Sequence, residues 1–333
     1  MSKAGEYMDS KTNPQELPEK VAHNSLGLFN GLGTKEKSAI FSIQTEVLRV
    51  MVNKLIEKGF RWILPVMLSR ATDPLWPDPG ASIEKRIELS IYGQNVKTMQ
   101  SMILHKRVLV SLGAERFFIL SPNIRIENRE RAKTGKHLFE FNQLEVEVAY
   151  GKMEHIFRLF EELIQASALA VNERLREELR LLGRNIRIPT TPFKVYGRSQ
   201  LEERFGQSWT EAVAKQSENP VWVIDLPREF YDYQEENSGT WRNFDLILPE
   251  GFGEVISGAE REYEYRRIAA KLESDGLDQK DYQLMLRLAK DGLLKPSAGA
   301  GLGVERFVSY ICGTDHVGDV QPFPRIPGLV PDL

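Results

Sequence analysis

Arg125 and Glu127 stand two residues apart in the run NIRIENRERAKTGKHLFEFNQLEVE, residues 123–147, and Lys136, His137, Glu140 and Phe141 return after a turn. Residues two apart on a strand share a face. An arginine beside a carboxylate and an aromatic ring suits ATP: the guanidinium takes a phosphate, the ring lies against a base, and the carboxylate accepts from the adenine amino group. Seen alone, the same residues describe a charged hairpin held by cross-strand ion pairs. A second cluster, FDLILPEGFGEVISGAERE, offers Glu254 and Ser257 with Asp245 nearby. These are hard oxygen donors of the kind that hold Mg²⁺ shared with nucleotide phosphates; Arg261 follows them. In YGQNVK, Gln94 and Lys97 fall one turn apart at the start of an expected helix, within reach of one pocket. Lys97 by itself reads as a solvated lysine. Near the C-terminus, Gly299, Gly301 and Gly303 alternate and then give way to Glu305 and Arg306. Alternating glycines leave one strand face bare, so a flat group or another backbone can approach. A cation in the first turn of the following helix is opposed by the helix dipole. Arg306 is therefore better read as a phosphate ligand than as a helix stabiliser, although a tight strand-to-helix corner is the plainer alternative.

The elements that must position these residues follow from the patterning. The chain has 333 residues, 41% apolar and 27% charged, which fits a soluble globular protein of one large or two ordinary domains. The net charge of −3 gives no support for a large nucleic-acid footprint. Cys312 is the one cysteine, so an intrachain disulfide and a multi-cysteine zinc site are excluded, and a buried structural thiol is expected. The five histidines, His23, His105, His137, His155 and His316, lack metal-ligand spacing. No signal peptide and no apolar run of membrane-spanning length are evident, so a cytoplasmic protein is expected.

Residues 1–33 are polar and aperiodic and predict a flexible tail; residues 34–333 predict the catalytic body. Ile40, Ile43, Val47, Val50, Met51 and Leu55 recur at helical spacing up to Gly59. Residues 60–67 predict a buried strand interrupted by Pro65, hence an edge or interface position. Residues 94–111 and 154–182 predict helices. Residues 117–120, 124–128 and 138–149 alternate as antiparallel strands around a basic loop at 129–137, and 221–224, 244–248 and 253–256 predict further strands. Helices are expected at about 260–274 and 279–291. The sum is an α+β fold: an antiparallel sheet of six to seven strands flanked by helices.

Taken in order, these motifs resemble the catalytic domain of the class II aminoacyl-tRNA synthetases, in the aspartyl/asparaginyl branch, over roughly residues 37–330. GFRWILPVML, with Pro65, looks like motif 1, which builds the dimer interface; residues 119–147 look like motif 2, and GAGLGVERF like motif 3. The resemblance implies that Arg125 binds the α-phosphate and the reacting carboxylate. It implies that Glu127 reads the adenine amino group, and that Phe141 and Arg306 flank the ring, with Arg306 close to the γ-phosphate. Lys136 and His137 would assist the pyrophosphate, and Glu254 and Ser257, with Asp245, would hold Mg²⁺. Gln94 and Lys97 would contact the amino acid. With Arg261, Lys97 would form a two-cation pocket that takes aspartate over asparagine, because an amide cannot satisfy two buried cations.

Members of that branch carry an N-terminal β-barrel that reads the anticodon, and the 35 or so residues before the first helix show no strand pattern. The chain, including REFYDYQEE, therefore looks most like the archaeal-type asparagine synthetase related to those enzymes. Its implied reaction is AMP-forming: ATP activates the β-carboxylate of aspartate and ammonia releases asparagine, in a homodimer with no tRNA and no membrane partner. Asp232, Glu235 and Glu236, with Gln94, are the candidates to bind the ammonium group and so to choose which carboxylate reacts. The alternative is a synthetase-like enzyme that passes the adenylate to tRNA or another carrier. A non-catalytic regulator predicts loss of the key arginines, and Arg125 and Arg306 are both present.

Overall fold

Period-two alternation in residues 116–149 and 243–303 builds the sheet on which everything else is placed. The computed structural model describes residues 35–75 and 83–330; the expected tail lies outside them. In chain order the elements are α1 (Lys35–Glu57), β1 (Arg61–Trp62), β2 (Leu68–Ser69), β3 (Ile83–Lys85), β4 (Glu88–Ile91), β5 (Gln94–Thr98), α2 (Ile103–Ser111), β6 (Arg116–Ile124), β7 (Ile126–Glu127) and β8 (Glu140–Ala149). There follow α3 (Met153–Arg174), α4 (Arg176–Leu181), β9 (Lys194–Gly197), α5 (Arg198–Phe205), α6 (Trp209–Gln216), β10 (Val221–Ile224), β11 (Asn243–Leu248), β12 (Gly253–Glu260), α7 (Tyr265–Ser274), α8 (Gln283–Lys290), β13 (Ser297–Gly303) and α9 (Val304–Cys312).

The main sheet has eight strands in the order β1-β6-β8-β13-β12-β11-β10-β9. Its interior is antiparallel, and both edge strands join in parallel. The expected α+β sheet is therefore present, with more strands than the six to seven read from the sequence. The additions are edge strands of two and four residues, too short to show a period.

One face of the sheet is apolar. Leu144 and Val146 of β8 and Ala298, Ala300 and Leu302 of β13 point into a core shared with α1, α3 and α9. Trp222 of β10 ties α3 to the sheet: it stacks on Phe157 at 4.2 Å, meets Phe244 edge-on at 5.5 Å, and donates Nε1–H to Glu161 at 2.9 Å. The other face is where β8 and β13 carry function. Gln143, Glu145 and Glu147 line up on β8, and β13 sets Gly303, Gly301 and Gly299 directly opposite them. The bare glycine face inferred from the sequence thus makes room for carboxylates.

Several expectations are corrected. Residues 94–98 are strand, not helix, because Tyr92 and Gly93 both take positive φ, 50° and 71°, and close a two-residue hairpin between β4 and β5. Only Ile103–Ser111 is helical. The predicted 154–182 helix is interrupted at Leu175, which leaves helical geometry at φ −124°. The helix expected from about 260 starts at Tyr265, because β12 runs on to Glu260. Residues 60–67 are not a buried strand: β1 is two residues long, and beyond it Leu64 is 80% exposed. Pro65 does lie just beyond an edge strand, as a proline requires.

A Cβ at position 299 would run into the Glu147 carboxylate and the Val146 carbonyl, whereas one at 301 would press only on the flexible Gln143 side chain, at 3.1 Å, and touch Glu145 Cγ at an ordinary 3.5 Å. Gly299→Ala is therefore expected to cost about 1–3 kcal/mol and Gly301→Ala markedly less, as read by urea unfolding of the two variants.

Candidate active site

A cavity of about 400 Å³ opens on the polar face of the sheet, between the loop that follows β7, the start of α9 and the start of α2. At one end it is lined by Arg125, Glu127, Arg131, Lys136, His137, Phe141, Glu254, Ser257 and Arg306. At the other it is lined by Asp73, Lys106, Glu145, Glu229, Tyr231, Asp232 and Arg261.

The first end brings together the nucleotide residues read from the sequence. Arg125 donates Nε–H to the Gln100 carbonyl at 3.0 Å, and its guanidinium lies over the Phe141 ring at 5.2 Å. Glu127 is buried, and that burial raises its pKa against the pull of Arg131, Arg125 and Arg306. Its carboxylate sits 3.3 Å from Arg131 Nε. Arg306, in the first turn of α9, is held by the carbonyls of Glu254 and Lys136, while its buried Nε–H has no partner among the described residues. An unspent donor on a residue that lines the cavity is consistent with a ligand role. His137 bridges Arg131 at 2.7 Å and Thr134 at 2.6 Å. Burial and then the cations Arg306, Arg131, Lys136 and Arg125 push its pKa down to about 3, so it is neutral in the free protein.

Glu254 and Ser257 are three apart on β12, which in a regular strand would put them on opposite faces. The pairing with β11 shifts between Leu246 and Ile247, leaving Val255 as an extra residue, and this bulge returns both side chains to the cavity. As oxygen donors beside the phosphate end, they fit the Mg²⁺ implied by the resemblance. Asp245 lies behind them, outside the cavity lining: the Arg228 guanidinium bonds both Ser257 and one oxygen of Asp245, whose other oxygen has no partner among the described residues. Burial works against the Arg228 cation, yet Asp245, Glu229 and Glu254 together hold its pKa above the ordinary arginine value.

The second end corrects the amino-acid pocket. Gln94 and Lys97 are not on its wall. On β5 an odd spacing separates their faces, and Lys97 is engaged with Asp281 at 2.7 Å. Glu235 and Glu236 also lie outside the cavity lining, on Arg242 and Arg267 respectively. The lysine that does reach the pocket is Lys106 of α2, buried against Glu145 at 2.8 Å and Glu147 at 3.4 Å. Arg261 and Asp232 are present as expected, 3.2 Å apart, and Arg261 also donates to the Gly299 carbonyl at 3.0 Å. Burial raises the Glu229 pKa well above the usual carboxylate range, with Asp73 and Asp232 adding to it. Lys106 and Arg107 are charged residues in the otherwise apolar helix ILHKRVLVS, and the alternation of Phe141, Gln143, Glu145 and Glu147 is visible in the sequence. Those two patterns could have located this lobe. Nothing local marks Asp73 or Glu229.

Comparison with solved structures places the fold. An asparaginyl-tRNA synthetase from Pyrococcus horikoshii complexed with asparaginyl-adenylate superposes with a TM-score of 0.82 at 24% identity, covering 96% of this chain and 75% of that one. The Entamoeba histolytica asparaginyl-tRNA synthetase with the same adenylate gives 0.78 at 19%, over 94% and 72%. A putative aspartyl-tRNA synthetase from Leishmania major Friedlin gives 0.72 at 19%, over 90% and 67%. In sequence, an asparagine–tRNA ligase of Mycoplasmopsis pulmonis is 33% identical over 270 residues, 71% of this chain and 58% of the relative's own length. The family model for class II tRNA synthetases (D, K and N) matches residues 29–327, and the chain belongs to that family. Among the described residues no helix is long and apolar enough to cross a membrane.

The neutral His137 has a stability signature. Unfolded, it titrates near its ordinary value of 6.5; folded, near 3. Between these values the unfolded chain binds the extra proton, so this contribution to stability is full above pH 6.5 and is lost as pH falls toward 3. Acidification from pH 7.5 to pH 5 is expected to cost the native protein about 2 kcal/mol more than His137→Gln, measured by urea unfolding at both pH values.

Proposed function

We propose that this protein is an adenylate-forming ligase that joins the carboxylate of aspartate, or of asparagine, to the α-phosphate of ATP with release of pyrophosphate. The observation that carries this reading is one cavity with two chemistries. Arg125, Glu127, Phe141 and Arg306 sit at one end, and Lys106, Arg261, Asp232 and Glu229 at the other. Arg125 would lie between the reacting carboxylate and the α-phosphate, and catalysis would be mainly alignment and charge stabilisation. Mg²⁺ on Glu254 and Ser257 would draw charge off the phosphates. Lys136 and His137 would face the leaving pyrophosphate. The acids Asp73, Glu229 and Asp232 suit an α-ammonium group. Two buried cations, Lys106 and Arg261, favour aspartate, and Lys106 takes the part expected of Lys97.

For the acceptor, membership of a tRNA-synthetase family and the likeness to an asparagine–tRNA ligase favour the 3′ end of a tRNA. The second reading takes ammonia as acceptor, giving asparagine, and a carboxyl on the cavity wall such as Glu229 would take the proton an attacking ammonia must lose. We also place a homodimer interface on the apolar run after β1, where Trp62, Leu64, Val66, Met67 and Leu68 are all exposed.

The reading is tested by ATP–pyrophosphate exchange with aspartate and with asparagine, followed by incubation with tRNA or with ¹⁵N-ammonium. Exchange is expected with aspartate, and no exchange with either amino acid refutes the proposal. Charged tRNA identifies the ligase, and a ¹⁵N side-chain amide identifies the synthetase. Arg306→Ala should abolish exchange while leaving the unfolding midpoint and dimer intact. Leu64→Glu should convert the dimer to a monomer in light scattering.

A further inference from the structure

Arg107 is the residue of the amino-acid end that the proposed function leaves without a task. It follows Lys106 on α2 and is fully buried, with 0% exposure, yet Nε, Nη1 and Nη2 all lack a hydrogen-bond partner among the described residues. A buried guanidinium with no acceptor is among the more expensive arrangements a protein can hold. Burial lowers its pKa to about 10, and the strongest charge opposing that shift is Glu147. Glu147, in turn, is shared. Ser297 holds one oxygen firmly at 2.7 Å, whereas its contacts with Arg261, at 3.3 and 3.5 Å, and with Lys106, at 3.4 Å, are all long for charge-assisted bonds. Lys106 already carries Glu145 and Glu147, and Arg261 carries Glu147 and Asp232, so a substrate carboxylate arriving at Lys106 and Arg261 competes with an internal carboxylate for them.

We propose that Arg107 is a specificity-determining positioning residue: when a substrate carboxylate takes Glu147's place on Arg261 and Lys106, Glu147 turns to the vacant donors of Arg107. The inference rests on the adenylate-forming reading above. Glu147 holds the place on Arg261 and Lys106 that a substrate carboxylate would take, and Arg107 is its berth once that carboxylate is bound. An amide oxygen, which carries no full charge, has less power to displace Glu147, so the exchange favours aspartate over asparagine. Gly299 gives the carboxylate the space it occupies, since a Cβ there would collide with it.

The test is ATP–pyrophosphate exchange by the intact protein and its variants. Arg107→Met is expected to raise the KM for aspartate about tenfold or more, the loss of one charge-assisted bond. The KM for ATP should stay unchanged, and the preference for aspartate over asparagine should fall. Arg107→Lys should recover most of the affinity. Because the methionine removes a buried unpartnered cation, thermal stability should hold or rise; a purely structural role predicts the reverse, a loss of stability without a selective change in KM. Glu147→Gln supplies the second arm: in that background Arg107→Met should have no further effect on the aspartate KM, because Arg107 acts through Glu147. Additive effects, or an unchanged aspartate KM in a folded Arg107→Met, overturn the inference while leaving the adenylate reading intact. Absence of exchange in the unmodified protein overturns both.

Discussion

The pairing of a carboxylate strand with a glycine strand is the constraint on which the active-site end of this protein depends. Glu145 and Glu147 project from β8 toward positions where β13 has no side chains. Remove that bareness and the carboxylates have nowhere to lie; remove the carboxylates and buried Lys106 loses both its counterions, while Arg261 is left with Asp232 alone. Either loss disturbs the pocket's polar order, because Lys106 of α2 and Arg261 just beyond β12 are tied into it by these ion pairs. The opposite faces of the same two strands carry Leu144, Val146, Ala298 and Ala300 into the core. Period-two alternation thus fixes the hydrophobic core and the charged cavity in a single act, and a slip of one residue would exchange them.

The sequence was informative where the chemistry repeats at the period of its element. Gly301 and Gly303, the pair Arg125 and Glu127, and Arg306 at a helix start all came together in the cavity, with Gly299 behind them against Glu147. Reading failed where a single residue changes the geometry. Tyr92 and Gly93 close a hairpin with two positive φ angles, and this turned an apparent helix start into a strand and carried Lys97 away from the pocket. The extra residue Val255 reverses the facing of everything before it on β12, and it leaves no mark in composition. Lys106 was hidden for a different reason. A lysine on a short helix ordinarily faces water, and only the three-dimensional position of Glu145 and Glu147 shows that this one does not. Asp73 and Glu229 come from loops far apart in the chain and meet only through tertiary structure, so no local pattern could have joined them.

The two ends of the cavity are built on different electrostatic terms. The phosphate end is an accumulation of cations, dense enough to keep His137 neutral and to lower the pKa of Lys136, with burial the larger cause in each. A polyanion entering there relieves repulsion that the fold has already imposed. At the amino-acid end the cations on the wall, Lys106 and Arg261, are each paired with a carboxylate. The difference matches the ligands proposed for each: a triphosphate can be gathered by excess charge, whereas a small zwitterion with a charged side chain needs both signs at set positions.

This pairing also bears on what the amino-acid end ignores. A cell is full of small anions, and a pocket with bare arginine and lysine would collect them. Here every such cation on the cavity wall is already engaged by a carboxylate of the protein, so an inorganic phosphate or a simple carboxylic acid must displace that carboxylate and has no ammonium group to offer Asp73, Glu229 and Asp232 in exchange. On the proposed reading, the pocket would turn away common small anions by competition from its own side chains.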